Sequence, residues 1–156
     1  MTATQHAFPV WETAGLGAKT INMTTDTFNV GLIASGTFTW GATPEAYQFV
    51  SQFLAGDGTH GALTEVSTSG TGYTRQALTS VTFTNSGEND TWTGANPSWS
   101  AATFSCVYAF VYDATVGAGD SSHPILAYYD FGGTQTVTGA TFSLLVSTGF
   151  VQWQYQ

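Results

Sequence analysis

A chain of 156 residues that is 42% hydrophobic and 15% aromatic can bury one sizeable core, so its net charge of −8 does not mark an acidic disordered tail. Ten acidic residues stand against Lys19 and Arg75 alone, which disfavours nucleic acid and anionic membrane surfaces, because phosphate recognition needs clustered cations. No run of apolar residues is long enough to span a bilayer, and the start MTATQHAFPV has neither the basic nor the apolar region of a classical signal peptide.

In chain order, residues 1–18 carry Phe8, Val10, Trp11 and Leu16 among Thr, Ala and Gly without a firm period, and Pro9 blocks regular pairing at its own position. This segment reads as an edge strand of its own domain, or as an arm that lies on a neighbouring subunit with Phe8 and Trp11 as anchors. Residues 19–156 read as a single β-domain. DTFNVGLIAS (26–35) ends in an apolar strand. PEAYQFVSQFLAG (44–56) is the one good helix candidate, with Tyr47, Val50, Phe53 and Leu54 at helical spacing and Gly56 as a stop. ALTEV (62–66) is a short strand. QALTSVTFT (76–84) alternates, with a phase slip near Thr79 and Ser80 that predicts a bulge.

NSGEND (85–90) is a hairpin-type turn with a returning strand at 91–93. TFSCVYAFVYD (103–113) is apolar at nearly every position, as in a strand buried on both faces, or on one face plus a subunit contact. A Gly/Ser/Asp loop follows over 114–123, then the strand PILAYYDF (124–131), closed by Gly132 and Gly133. TQTVTG, ATFSLLVS and GFVQWQ complete a meander. The expected fold is therefore all-β: an antiparallel β-sandwich or flattened barrel of about eight strands with one short helix. Leu78, Val81, Phe83, Cys106, Tyr108, Phe110, Leu126, Tyr128, Phe142 and Leu144 are expected to face one shared core.

No catalytic set announces itself. TSGTGYTRQ (68–76) lacks the Gly-Lys-Ser/Thr ending of a phosphate loop and leads into a β-patterned stretch, so its glycines read as turn formers and Arg75 as a structural cation seeking a carboxylate or an aromatic face. His6, His60 and His123 are far apart in sequence and show no ligand spacing. The acids of the 57–60 and 113–120 loops do not follow an EF-hand pattern. There is no GxSxG elbow, and the scattered acids define no carboxylate pair for glycoside cleavage. Neither a metal nor a cofactor is expected. Cys106 reads as a buried small hydrophobe, and the glycosylation-like patterns at Asn22 and Asn89 as chance. The five tryptophans suit core, interface or a sugar-stacking platform.

Four ordered stretches, DTFNVGLI (26–33), SGTGYTRQALTSVTF (69–83), PSWSAATFSCVYAFVYD (97–113) and PILAYYDFGG (124–133), together resemble a family of small structural proteins from tailed bacteriophages. The turn ending in Gly-Tyr-Thr and the pair "YAxxYD … LAYxDFGG" are the most specific parts. The resemblance implies a non-enzymatic virion protein, head-associated or another minor structural component, made in the host cytoplasm. The scarcity of charge, 8% of residues where about 25% is usual, fits a surface hidden in a permanent assembly. The leading expectation is a capsid decoration or cement protein whose partners are the major capsid protein and copies of itself, with Phe8, Trp11, Trp40, Trp153 and Tyr155 as possible assembly contacts. A tail, baseplate or fibre component and a glycan-binding β-sandwich module are the alternatives.

Overall fold

The computed structural model describes residues 3–8, 21–41, 46–86, 89–145 and 151–154. Among these residues lie nine strands and one helix: β1 (Thr4–Ala7), β2 (Phe28–Ser35), α1 (Val50–Leu54), β3 (Thr64–Glu65), β4 (Gln76–Ala77), β5 (Thr82–Ser86), β6 (Asn89–Thr93), β7 (Ser98–Asp113), β8 (Ile125–Ser143) and β9 (Val151–Gln154). A six-stranded sheet runs β1-β8-β7-β2-β3, with β4 also on β2, and a three-stranded sheet runs β5-β6-β9. Every pairing is antiparallel. The protein is all-β, antiparallel and sandwich-like, as expected.

The large sheet is covered on both faces. On one, Phe28, Val30 and Leu32 of β2 pack with Ala109, Val111, Leu126 and Tyr129, and the small sheet closes over them through Trp92, whose ring meets Phe28 edge-on at 4.6 Å. On the other, Ile33, Phe110, Tyr112, Ile125 and Tyr128 meet Val50 and Phe53 of α1 together with Phe8, Phe38 and Leu63. This double burial is why β7 reads as a continuous apolar run over its last residues: from Tyr108 to Tyr112 alternate side chains enter different cores, and neither set faces water.

The single core expected from two-residue spacing is corrected to two cores. Leu78, Cys106, Leu126 and Leu144 belong to the first, with Val81 and Phe142 packed against it, whereas Tyr108, Phe110 and Tyr128 belong to the second. Phe83 is 39% exposed and is not a buried residue of either core. The phase of β7 changes between Cys106 and Tyr108, where the register with β8 jumps from Cys106↔Gln135 to Tyr108↔Asp130. The extra residues on β8 include Gly132 and Gly133, both at positive φ, so these glycines build a bulge inside one long strand rather than closing it. The expected turn after Phe131 is thus absent, and TQTVTG and the first residues of ATFSLLVS continue β8 to Ser143, whereas GFVQWQ supplies the separate strand β9 as expected.

The phase slip near Ser80 has a different cause from the bulge expected there. β4 pairs with β2 in the large sheet, while β5 pairs with β6 in the small one, and Ser80 at φ 54° turns the chain from one sheet to the other. The helix is shorter than its hydrophobic spacing predicts. Phe49 is extended and bridges to Pro124, so the helix begins only at Val50, capped by Gln52 Oε1, which accepts the amides of Gln48 and Phe49 at 2.7 and 2.9 Å. Gly56, at φ 91°, ends it as read.

Candidate functional site

The TSGTGYTRQ stretch is built as a clamp. Gly72 sits at φ 69°, and a Cβ there would lie 2.9 Å from the Ala101 carbonyl oxygen, so only glycine lets the turn press against β7. Thr103 N–H donates to the Thr71 carbonyl at 2.9 Å, and Trp99 Nε1–H donates to the Thr74 carbonyl at 2.6 Å. Tyr73 is 1% exposed, and its hydroxyl enters the edge of β2. There β3 and β4 flank the strand but leave a gap at Leu32. The Tyr73 hydroxyl accepts the Leu32 amide at 2.9 Å, replacing a missing ladder partner, and donates to Glu65 Oε1 at 2.6 Å.

Arg75 follows two residues on. Its Nε and Nη2 donate to the two oxygens of Glu65 at 2.8 and 2.7 Å, and its Nη1 and Nη2 donate to the two oxygens of Asp120 at 2.6 and 2.8 Å. The guanidinium also lies 5.2 and 5.1 Å from the ring centroids of Phe110 and Tyr112. Burial opposes its charge, but the bonds it donates to Glu65 and Asp120 outweigh that, and the pKa is raised. The hydrogen bonds from Arg75 hold Asp120 below the usual carboxylate range. The expected structural role thus has a concrete form: one cation ties the 66–75 loop, β3 and the 114–123 loop together over two aromatic rings.

The expected assembly residues fall in different environments. Phe8 is corrected from surface anchor to core residue: it is fully buried in this chain's own second core, and its amide donates to the Leu126 carbonyl at 2.8 Å. β1 pairs with β8 from Thr4↔Asp130 to Ala7↔Ala127, which makes this part of the N-terminus an edge strand. Trp40 is half-buried and stacks on His6, which in turn stacks on Tyr128. Trp153 lies on β9 opposite Asp90, and Trp11 and Tyr155 lie outside the described residues.

The three histidines do not converge. His6 stacks between Trp40 and Tyr128; His60 contacts Asp57 at 2.7 Å; His123 stacks on Tyr112. Among the described residues no three His, Cys, Asp or Glu side chains gather as a metal-binding group, and no helix is long and apolar enough to cross a membrane. Cys106 is a free buried thiol whose pKa burial pushes up to about 12, matching a small hydrophobe.

Two features escaped sequence reading. Asp113, fully buried at the end of β7, accepts the amides of Thr115 and Val116 at 2.7 and 3.3 Å through Oδ1. Burial, reinforced by the nearby Asp26 carboxylate, pushes its pKa up to about 6. A surface cleft of about 140 Å³ lies between Ala3, Phe131, Phe142, Ser143, Leu144 and Leu145, and Leu145 on its rim is 66% exposed. Both depend on residues brought together from distant positions, which no local pattern encodes. Comparison with protein families, with curated proteins and with solved structures gives no match for the chain.

Proposed function

We propose that the chain is a non-enzymatic structural protein of a bacteriophage virion, a decoration or cement protein on the outer face of the head, bound to the major capsid protein and to copies of itself. The observation that carries this reading is the disposition of charge. Arg75, the one cation among the described residues, is spent on Glu65 and Asp120, so the described surface offers no Lys or Arg to a phosphate. A protein of net charge −8 is repelled from the DNA-filled interior of a head and pays no such penalty outside it.

The stretches behind the phage resemblance also support a structural role. Three of them supply β2, β7 and the first part of β8, which are adjacent strands, and the fourth supplies the Arg75 clamp locked onto them. Motifs placed this way specify a scaffold. Leu145 and its apolar cleft give the described surface a feature suited to burial against another protein. Purified virions, empty heads and tails separate the possibilities. The expected result is the protein in full and empty heads, with density on the outer surface of a particle reconstruction. Its presence in tails alone overturns the head assignment in favour of a tail, baseplate or fibre component.

A further inference from the structure

Asp57 organises a pocket that the proposed virion role does not use. Its Oδ1 accepts the amides of Thr59 and His60 at 2.9 and 2.7 Å, and its Oδ2 accepts the amide of Thr39 at 2.8 Å and faces His60 Nδ1 at 2.7 Å. One carboxylate therefore ties Thr39 to Thr59 and His60, which belong to a second loop. All three line a cavity of about 210 Å³ together with Gly41 and Tyr47. The Tyr47 ring is braced from behind by Phe38 at 5.1 Å and Phe8 at 5.8 Å, so it is a rigid wall anchored in the second core. His60 is equally fixed. A carboxylate only accepts, so Nδ1 carries the hydrogen towards Asp57 and Nε2 is the free ring nitrogen.

The chemistry of this lining narrows the ligand. The described lining contains no Lys or Arg, so none of these residues grips a phosphate, sulfate or carboxylate. The four interactions of Asp57 occupy its oxygens, leaving no free carboxylate among the described lining for a metal ion or an amine, and the hydrogen bonds, the His60 amide first, hold its pKa below the usual carboxylate range. What remains is an aromatic face, an imidazole nitrogen and two threonine side chains. An aromatic wall beside fixed hydrogen-bonding groups matches a ring with an apolar face and a rim of hydroxyls. We infer that the pocket of Thr39, Tyr47, Asp57, Thr59 and His60 is a subsite for one neutral sugar unit of a glycan. The inference stands independently of the virion assignment, since it concerns the isolated chain.

The test is saturation-transfer NMR on the full-length protein with glucose, galactose, mannose, rhamnose and N-acetylglucosamine in turn, alongside amide shift mapping. A single small site of this kind binds weakly, in the millimolar range. The expected result is saturation transfer to at least one sugar, with shifts at the amides of Gly41, Thr59 and His60. His60→Ala should weaken that binding about tenfold with an unchanged melting temperature, as one lost hydrogen bond in a small site implies. Leu145→Ala, remote from the pocket, should leave it intact. If His60→Ala fails to fold, the wild-type shift map decides alone. Absence of transfer from every sugar overturns the inference. So do transfer that survives His60→Ala and shifts confined to residues elsewhere.

Discussion

Arg75 and Glu65 meet through two parallel hydrogen bonds, Nε to Oε1 at 2.8 Å and Nη2 to Oε2 at 2.7 Å, and the adjoining Nη1–Nη2 edge of the same guanidinium holds Asp120. Arg75→Ala leaves two half-buried carboxylates without their cation. The expected cost is about 2–4 kcal/mol, below the range for fully buried pairs because these groups are partly solvated. Arg75→Lys should recover only part of it, since a single ammonium cannot fork to both acids. Urea denaturation of the two variants checks both statements. A cost near zero for Arg75→Ala means the clamp does not hold the loops.

Gly31 faces Phe110 across β2 and β7, and a Cβ at Gly31 would lie 2.3 Å from the ring's Cζ. Phe110→Ala should cost about 3–5 kcal/mol, as for other buried aromatic truncations. Gly31→Ala should cost about 1–3 kcal/mol by displacing the ring. In the Phe110→Ala background the Gly31→Ala penalty should largely vanish, and a double-mutant cycle measures that coupling. Additive penalties contradict the packing.

Removing residues 1–16 deletes β1 and Phe8 together. The second core then loses a buried aromatic in contact with Phe53 and Tyr128, and β8 loses its outer partner. Phe8→Ala alone should cost about 3–5 kcal/mol. Calorimetry is expected to show a large fall in melting temperature for the truncation. An unchanged melting temperature would restore the view of this segment as a detachable arm.

Asp113 gives stability a pH dependence of unusual sign for a carboxylate. Its folded pKa of about 6 lies above the ordinary aspartate value of 3.8, so the folded state holds the proton more tightly. The contribution is fully present below about pH 4 and is lost as pH rises through about 6. Asp57 and Asp120, both lowered, act oppositely and lose their contributions as the pH falls below the ordinary carboxylate range. Melting temperature against pH should therefore fall between about pH 4 and 6, and Asp113→Asn should flatten that slope while raising stability at neutral pH. A slope unchanged in Asp113→Asn assigns it to another group.

Leu145 is 66% exposed beside the apolar cleft, so Leu145→Glu should shift stability by no more than about 0.5 kcal/mol, as surface changes do. If the proposed assembly role is correct, the same change should weaken binding to heads, read by co-sedimentation with heads that lack the protein. Undiminished binding removes this surface from the contact.

The fold class, the positions of most strands, the Gly56 stop, the structural use of Arg75 and the burial of Cys106 are all legible in the chain before it folds. Each rests on a local signal: an apolar run bounded by turn residues, a glycine after a periodic segment, or a single cation among acids that must find one of them. Which acids Arg75 takes depends on tertiary structure, because Glu65 reaches it from β3 and Asp120 from the 114–123 loop. Tertiary structure also decided that Tyr108 and Cys106 serve different cores. Two-residue spacing predicts a shared face only while the register is unbroken, and the bulge at Gly132 and Gly133 shifts it by an amount set in the partner strand. The Asp57 pocket was illegible for the same reason: Thr39, Tyr47 and His60 come together through a carboxylate's hydrogen bonds and a core's packing, and neither leaves a period in the chain.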